Sequence, residues 1–170
     1  INLIESGLFF KFDATNILKK NLASIITSIS KDHLDWLPKN EQTIEKIVFE
    51  KTSSLLNSNI IVARQNKKST LNFIKKNIDK NQSNKFYFNE DFSYSDRENN
   101  FFYFEDELGG LKLPSPNVRG QFQLENISTA IATLRTLNLG INDDHIKKGI
   151  QKINNLARLQ EIKSGKLKDL

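Results

Sequence analysis

Residues 23–29 read ASIITSI and residues 59–63 read NIIVA. Both runs are short, rich in β-branched side chains and free of charge, as strands buried on both faces of a parallel sheet must be. Between them, the stretch from Thr43 to Leu56 carries apolar residues at Ile44, Ile47, Val48 and Leu55. That is the spacing of one helix face, and the Thr43 hydroxyl is suited to cap the first turn. Residues 69–78 repeat the helical spacing with Leu71, Ile74 and Ile78. Strand, helix, strand, helix in this order predicts an α/β layer fold, a mostly parallel sheet flanked by helices.

Working outward, residues 1–4 (INLI) form an apolar run that reads as an opening strand, stopped by Gly7. Downstream, residues 86–88 and 101–104 read as strands flanking an acidic, polar loop at 89–100. Apolar residues at Leu124, Ile127, Ile131 and Leu134 predict a helix over 124–137, ended by Leu139-Gly140. A further helix is expected over 143–153, with Asp143 or Asp144 near its N-cap. Residues 159–162 and 166–170 suggest a hairpin across Ser164-Gly165, and Pro114 and Pro116 mark a stiff, exposed connection. No internal repeat or low-complexity tract interrupts this order.

The 170 residues are 38% hydrophobic and 26% charged, a composition that excludes disorder. No apolar run approaches the roughly 18 residues of a membrane span, and no signal-peptide pattern opens the chain. The absence of cysteine excludes a disulfide framework, a thiolate metal site and a cysteine nucleophile. The formal charge of +5 is divided by region. Residues 1–85 hold 14 basic and 8 acidic side chains, residues 86–110 one and seven, and residues 111–170 ten and five. Such alternating blocks offer no continuous basic stripe, so no nucleic-acid partner is expected. There is no methionine, and a chain that opens on Ile1 reads as a piece of a longer protein.

In open parallel sheets, ligands bind beyond the carboxyl ends of the strands. Glu5 follows the first expected strand and His33 the second. A carboxylate and an imidazole at neighbouring strand ends suit magnesium or manganese when phosphates supply the remaining ligands. Alternatively, Glu5 is a solvated charge and His33 a loop residue. Lys51 shares the helix line of Ile44, Val48 and Leu55. It either snorkels to the rim or is buried and used chemically, for instance as a carbamate formed with carbon dioxide. Asp13, in the cluster Asp13-Ala14-Thr15-Asn16, serves turn chemistry or a substrate contact. Gln123 and Asn126 stand three apart at a helix start, where their amides share a face and either read a purine edge or cap the helix. Arg158 follows the last helix and is suited to phosphate.

Taken in order, these blocks resemble the folylpolyglutamate synthase/dihydrofolate synthase family of the Mur ligase superfamily. The resemblance runs from Glu5-Ser6-Gly7-Leu8 and Asp13-Ala14-Thr15-Asn16 through Ser30-Lys31-Asp32-His33 and Glu50-Lys51. It continues to Leu113-Pro114-Ser115-Pro116, Gly120-Gln121-Phe122-Gln123-Leu124-Glu125-Asn126 and Arg158-Leu159-Gln160. It implies a ligase that uses ATP to activate a carboxylate as an acyl phosphate, which the amine of L-glutamate then attacks. By matching position it implies that Glu5 and His33 hold Mg2+ and that Lys51 is the lysine carbamylated in many relatives. Gln123, Asn126 and Arg158 would contact ATP, and Asp13 would lie near the pterin-bearing substrate. It also implies dihydropteroate or a reduced folate as acceptor, no membrane partner, a cytoplasmic location and a monomer.

The chain departs from the family pattern at several places. Phe9-Phe10-Lys11 stands where Gly-Gly-Arg is usual, Pro38 and Ala157 replace glycines, and Phe122 replaces a histidine. No G-x-x-x-x-G-K-[ST] phosphate loop occurs in the 170 residues. The expected organisation is therefore a central ATP-binding domain over 1–157, lacking its phosphate-loop segment, and the beginning of a C-terminal domain over 158–170. Such a piece is expected to be inactive alone. The competing readings are a Mur-type ligase for another carboxylate and a non-catalytic α/β binding module.

Overall fold

Strand β1 (Ala23–Ile26) pairs in parallel with β2 (Asn59–Val62), which pairs in parallel with β3 (Lys85–Tyr87). The computed structural model describes residues 1–97, 100–118 and 120–153. They fall into two compact units, Ile1–Phe88 and Asn89–Leu170. The boundary expected at 157/158, the closing hairpin and Arg158 lie outside the described residues.

In the first unit, helix α1 (Ile44–Thr52) connects β1 to β2, and α2 (Lys68–Ile78) connects β2 to β3. This is the parallel α/β arrangement expected of the two β-branched runs. Residues Ile60, Ile61 and Val62 are fully buried, and Ile26, Ile47, Val48, Ile74 and Ile78 close one core with them or beside them. Thr43 caps α1 by accepting from the Lys46 N–H at 3.2 Å. The helix stops at Thr52, short of the expected 56, where the Ser53-Ser54 pair begins. Asn81 instead holds the freed Leu55 and Leu56 carbonyls through its side-chain amide.

Strand β1 is also shorter than the run that announced it. Beyond Ile26 the ladder is replaced by one side chain. Gln65 Oε1 accepts from the Ile29 N–H at 2.9 Å, and its Nε2 donates to the Thr27 and Ala63 carbonyls at 3.2 and 2.9 Å. The opening run 1–4 is not a strand, and Ile1, Leu3 and Ile4 are exposed. An apolar run acquires a ladder only with a partner strand, and among the described residues none pairs with it.

The second unit contains an antiparallel meander that the acidic character of 89–100 conceals. Strand β4 (Phe92–Arg97) lies inside the expected loop and pairs with β5 (Phe101–Asp106), which pairs with β6 (Gly109–Pro114). Phe102, Phe104, Leu111 and Leu113 point to one buried face, and the Phe92 and Phe104 rings stack at 6.3 Å. Pro114 and Pro116 are half-buried rather than exposed, Pro114 being the last residue of β6. Helix α3 (Gln121–Thr136) packs beside β4, and α4 (Asp143–Gln151) beside β6. The N-cap of α4 is Asn142, which forms a capping box with His145, and Asp143 and Asp144 follow it in the first turn, near the N-cap as expected. Among the described residues no helix is long and apolar enough to cross a membrane.

Candidate active site

The segment 5–17 lacks regular strands, and Asp13 organises it. Asp13 Oδ2 accepts from the Gly7 N–H at 2.8 Å, while Oδ1 accepts from the Thr15 hydroxyl at 2.6 Å and the Thr15 N–H at 2.9 Å. The Thr15 hydroxyl, followed by the Thr15 and Gly7 amides, holds the Asp13 carboxyl below the usual carboxylate range. Both oxygens are thus committed to the turn, the capping role that the sequence left open beside substrate contact. Asn16 extends the network by donating from Nδ2 to the Lys11 carbonyl at 3.0 Å.

The loop so formed meets α1. Lys51 Nζ donates to the Leu8 carbonyl at 3.1 Å and lies 5.7 Å from the centre of the Phe9 ring. Lys51 therefore turns into the loop instead of snorkelling away from it. Phe9 packs against the first unit's core, and its ring meets the imidazole of His33 edge-on at 6.5 Å. His33 is exposed and left-handed, with φ 55°, a conformation that costs a non-glycine residue energy. The Asp32 carboxylate supports it, accepting the His33 N–H at 2.8 Å and approaching Nε2 to 3.2 Å. His33 and Lys51, far apart in sequence, consequently flank one aromatic ring.

Glu5 is exposed and follows no strand, so its expected place at a strand end is corrected. Among the described residues no three His, Asp or Glu side chains gather as a metal site. A carboxylate and an imidazole suit a divalent ion only where phosphate oxygens complete the shell. In the second unit, Gln123 is buried and Asn126 exposed, both in the first two turns of α3. Gly120, with φ 105°, begins α3 just before them, a backbone angle that favours glycine. Arg158 lies outside the described residues.

Two side chains of α1 escaped the sequence reading. Glu50 is buried, paired with Lys46 at 3.2 Å and Lys11 at 3.9 Å. Lys46 also pairs with Glu41 at 2.7 Å, and the two carboxylates, Glu41 first, raise its pKa. The signal was present, since Glu50 stands three residues after buried Ile47 and four after Lys46. A groove of about 430 Å³ between α1 and α2, lined by Lys46, Lys76, Phe49 and Phe73, is a poorer candidate. Its two lysines are already paired, with Glu41 and with Glu45 at 3.7 Å.

No protein-family model matches the chain. It is 29% identical to the dihydrofolate synthase/folylpolyglutamate synthase of Haemophilus influenzae over 99% of its own length. Its fold superposes on the E. coli FolC structure in complex with DHPP and ADP with a TM-score of 0.75, at 30% identity over 92% of the chain. Over nearly its whole length the chain is similar to the dihydrofolate and folylpolyglutamate synthases. The apo form of L. casei FPGS shares the fold at a TM-score of 0.78 and 22% identity over 94% of the chain. The chain spans 36% of the H. influenzae synthase, 36% of the FolC chain and 40% of the L. casei synthase. The likeness to these synthases extends over both compact units.

Proposed function

We propose that the protein containing this chain is an ATP-dependent ligase that adds L-glutamate to dihydropteroate or to a folylpolyglutamate. The observation that carries the reading is the synthase likeness over 99% of the chain, together with His33 and Lys51 flanking one loop. FolC was solved with ADP and DHPP, and an FPGS with AMPPCP and folate, which supports a nucleotide and a pterin-bearing acceptor here. In the proposed reaction, a carboxylate oxygen of the acceptor attacks the γ-phosphorus of ATP. ADP leaves and an acyl phosphate forms. The glutamate amine then attacks the acyl carbon, phosphate leaves with the bonding pair, and loss of the amine proton completes the amide. Catalysis on this route consists of holding reactants in line and balancing phosphate charge.

Glu5 and His33 would hold Mg2+, which supplies charge neutralisation at the phosphates when bound. Lys51 supplies the amine bordering the same loop and is the proposed catalytic side chain. Asp13 shapes the loop that faces the acceptor. Gln123, Asn126 and Arg158 are assigned to ATP, with buried Gln123 the more constrained of the two amides. Residues 1–157 would form the ATP-binding domain without its phosphate-loop segment, and 158–170 would begin the next domain. With no phosphate loop among them, the 170 residues alone would turn over no ATP. The complete protein would act as a cytoplasmic monomer.

The test is to express the complete gene and measure ADP release with ATP, Mg2+ and L-glutamate, offering dihydropteroate and a reduced folate separately. ADP release that requires one of these acceptors supports the proposal. Release with neither sinks it, and release with a different carboxylate favours a Mur-type ligase of other specificity.

A further inference from the structure

Glu50 is the one ionisable side chain among the buried residues described, 7% exposed in α1. A carboxylate in such a place is costly unless cations pair with it. Lys46, one turn earlier on the same helix, already does so at 3.2 Å. The second cation, Lys11, comes from the 5–17 loop and approaches to 3.9 Å. Glu41, Lys46, Glu50 and Lys11 thus alternate in sign along a line from the 39–41 turn, across α1, to the loop.

Lys11 is fastened from several sides. Its ammonium lies 4.9 Å from the ring centres of Phe12 and Phe49. Its carbonyl accepts from Asn16 Nδ2 at 3.0 Å and from Ser54 Oγ at 3.5 Å. Lys51 holds the neighbouring Leu8 carbonyl. The end of α1 therefore grips the loop at residues 8 and 11, and Phe9, whose ring meets His33, stands between the two grips.

We infer that Glu50 is a positioning residue: by holding Lys11 against α1 it fixes the 8–11 loop and, through Phe9, the place of His33 beside Lys51. The consequence for turnover rests on the ligase reading; the positioning itself does not. The alternative is that Glu50 is merely neutralised to stabilise the helix. In that case Lys46, the closer partner and the one with a second carboxylate, matters more than Lys11.

Three variants of the complete protein separate the two: Lys11→Met, Glu50→Gln and Lys46→Met. Lys11→Met removes a side chain that is 31% exposed, so it folds even where Glu50→Gln does not. The inference expects Lys11→Met to lower kcat/KM for ATP by about tenfold, as misplaced site groups do. Lys46→Met stays near the parent value while lowering the urea midpoint further than Lys11→Met. The double variant Lys11→Met/Glu50→Gln is no worse than the poorer single. By proton NMR, the His33 imidazole loses the ring-current shift from Phe9 in Lys11→Met and keeps it in Lys46→Met. Equal activity loss in Lys46→Met and Lys11→Met, or an unmoved His33 signal in Lys11→Met, overturns the inference. If the parent ligates no glutamate at all, the ligase reading fails by itself and the His33 signals still decide the positioning.

Discussion

Arg135 offers the sharpest stability test in the second unit. Its Nε and Nη2 donate to the two oxygens of Asp106 at 2.7 and 2.9 Å, a forked pair joining α3 to the β5–β6 turn. Each side chain is 10% exposed, so solvent screens the pair far less than it would a surface bridge, which is worth about 0–1 kcal/mol. A hydrogen bond to a charged group contributes about 1.5–3 kcal/mol net, and removing one partner of a buried pair costs about 3–5. Neither partner is left bare, however. Asp106 keeps the Leu108 N–H at 2.9 Å, and Arg135 keeps the Gly109 carbonyl at 3.4 Å and Asp143 at 3.5 Å. The expected coupling between Arg135→Met and Asp106→Asn in a double-mutant cycle is therefore about 2 kcal/mol. The readout is native-state amide exchange at Phe102 and Phe104 on the central strand of the same unit. A coupling below about 0.5 kcal/mol would place this pair among surface bridges and refute the burial argument.

Three further outcomes follow from the first unit. The depressed pKa of Asp13 means its hold on the loop is complete above the ordinary carboxylate range and is lost as pH falls through its own lower value. The Gly7 and Thr15 amide signals should accordingly shift together in acid below about pH 4, and an Asp13→Asn variant should show no such step. Gln65→Ala strips partners from the Ile29 amide and from the Thr27 and Ala63 carbonyls, and should cost about 1–2 kcal/mol in urea unfolding followed by Trp36 fluorescence; an unchanged midpoint would mean water replaces it. In the complete protein, Lys51→Ala should lower glutamate ligation on the order of a hundredfold, while Lys46→Ala on the same helix does little; similar losses from both would make Lys51 only a surface lysine.

How far the fold could be read in advance depended on how each element is buried. Strand β2 is covered on both faces, so every inward residue must be apolar and NIIVA declares itself. Strand β4 reads FSYSDR, with serines between its aromatics and an acidic sequence around it, and composition alone marks it as a loop. Its partner β5 was the missing clue, because the burial of Phe102 and Phe104 on one face requires a neighbour in register. The run at 1–4 errs the other way. It has the apolar content of a strand, but a ladder is a relation between two segments and no single segment encodes it.

The same distinction runs through the site. His33 and Lys51 stand out in the sequence because their types are unusual where they stand, one after a strand and one on an apolar helix line, and the fold sets each against the Phe9 ring. Asp13 was legible as a turn residue, and its three internal donors fill both oxygens. The contacts made by Phe9 and Glu50 were not legible in advance. A phenylalanine in a loop and a glutamate in a Lys-rich helix are ordinary in sequence, and only the fold puts the ring between His33 and Lys51. Phe9-Phe10-Lys11 therefore acquires a physical meaning beyond its departure from Gly-Gly-Arg. A glycine loop approaches a ligand through bare backbone, whereas this loop is held by a ring packed on the core and a lysine paired to a buried carboxylate. The cost of that arrangement is reduced backbone freedom. In the inferred arrangement His33 and Lys51 are each placed by packing against the Phe9 ring, and a single substitution at Lys11 is expected to disturb them.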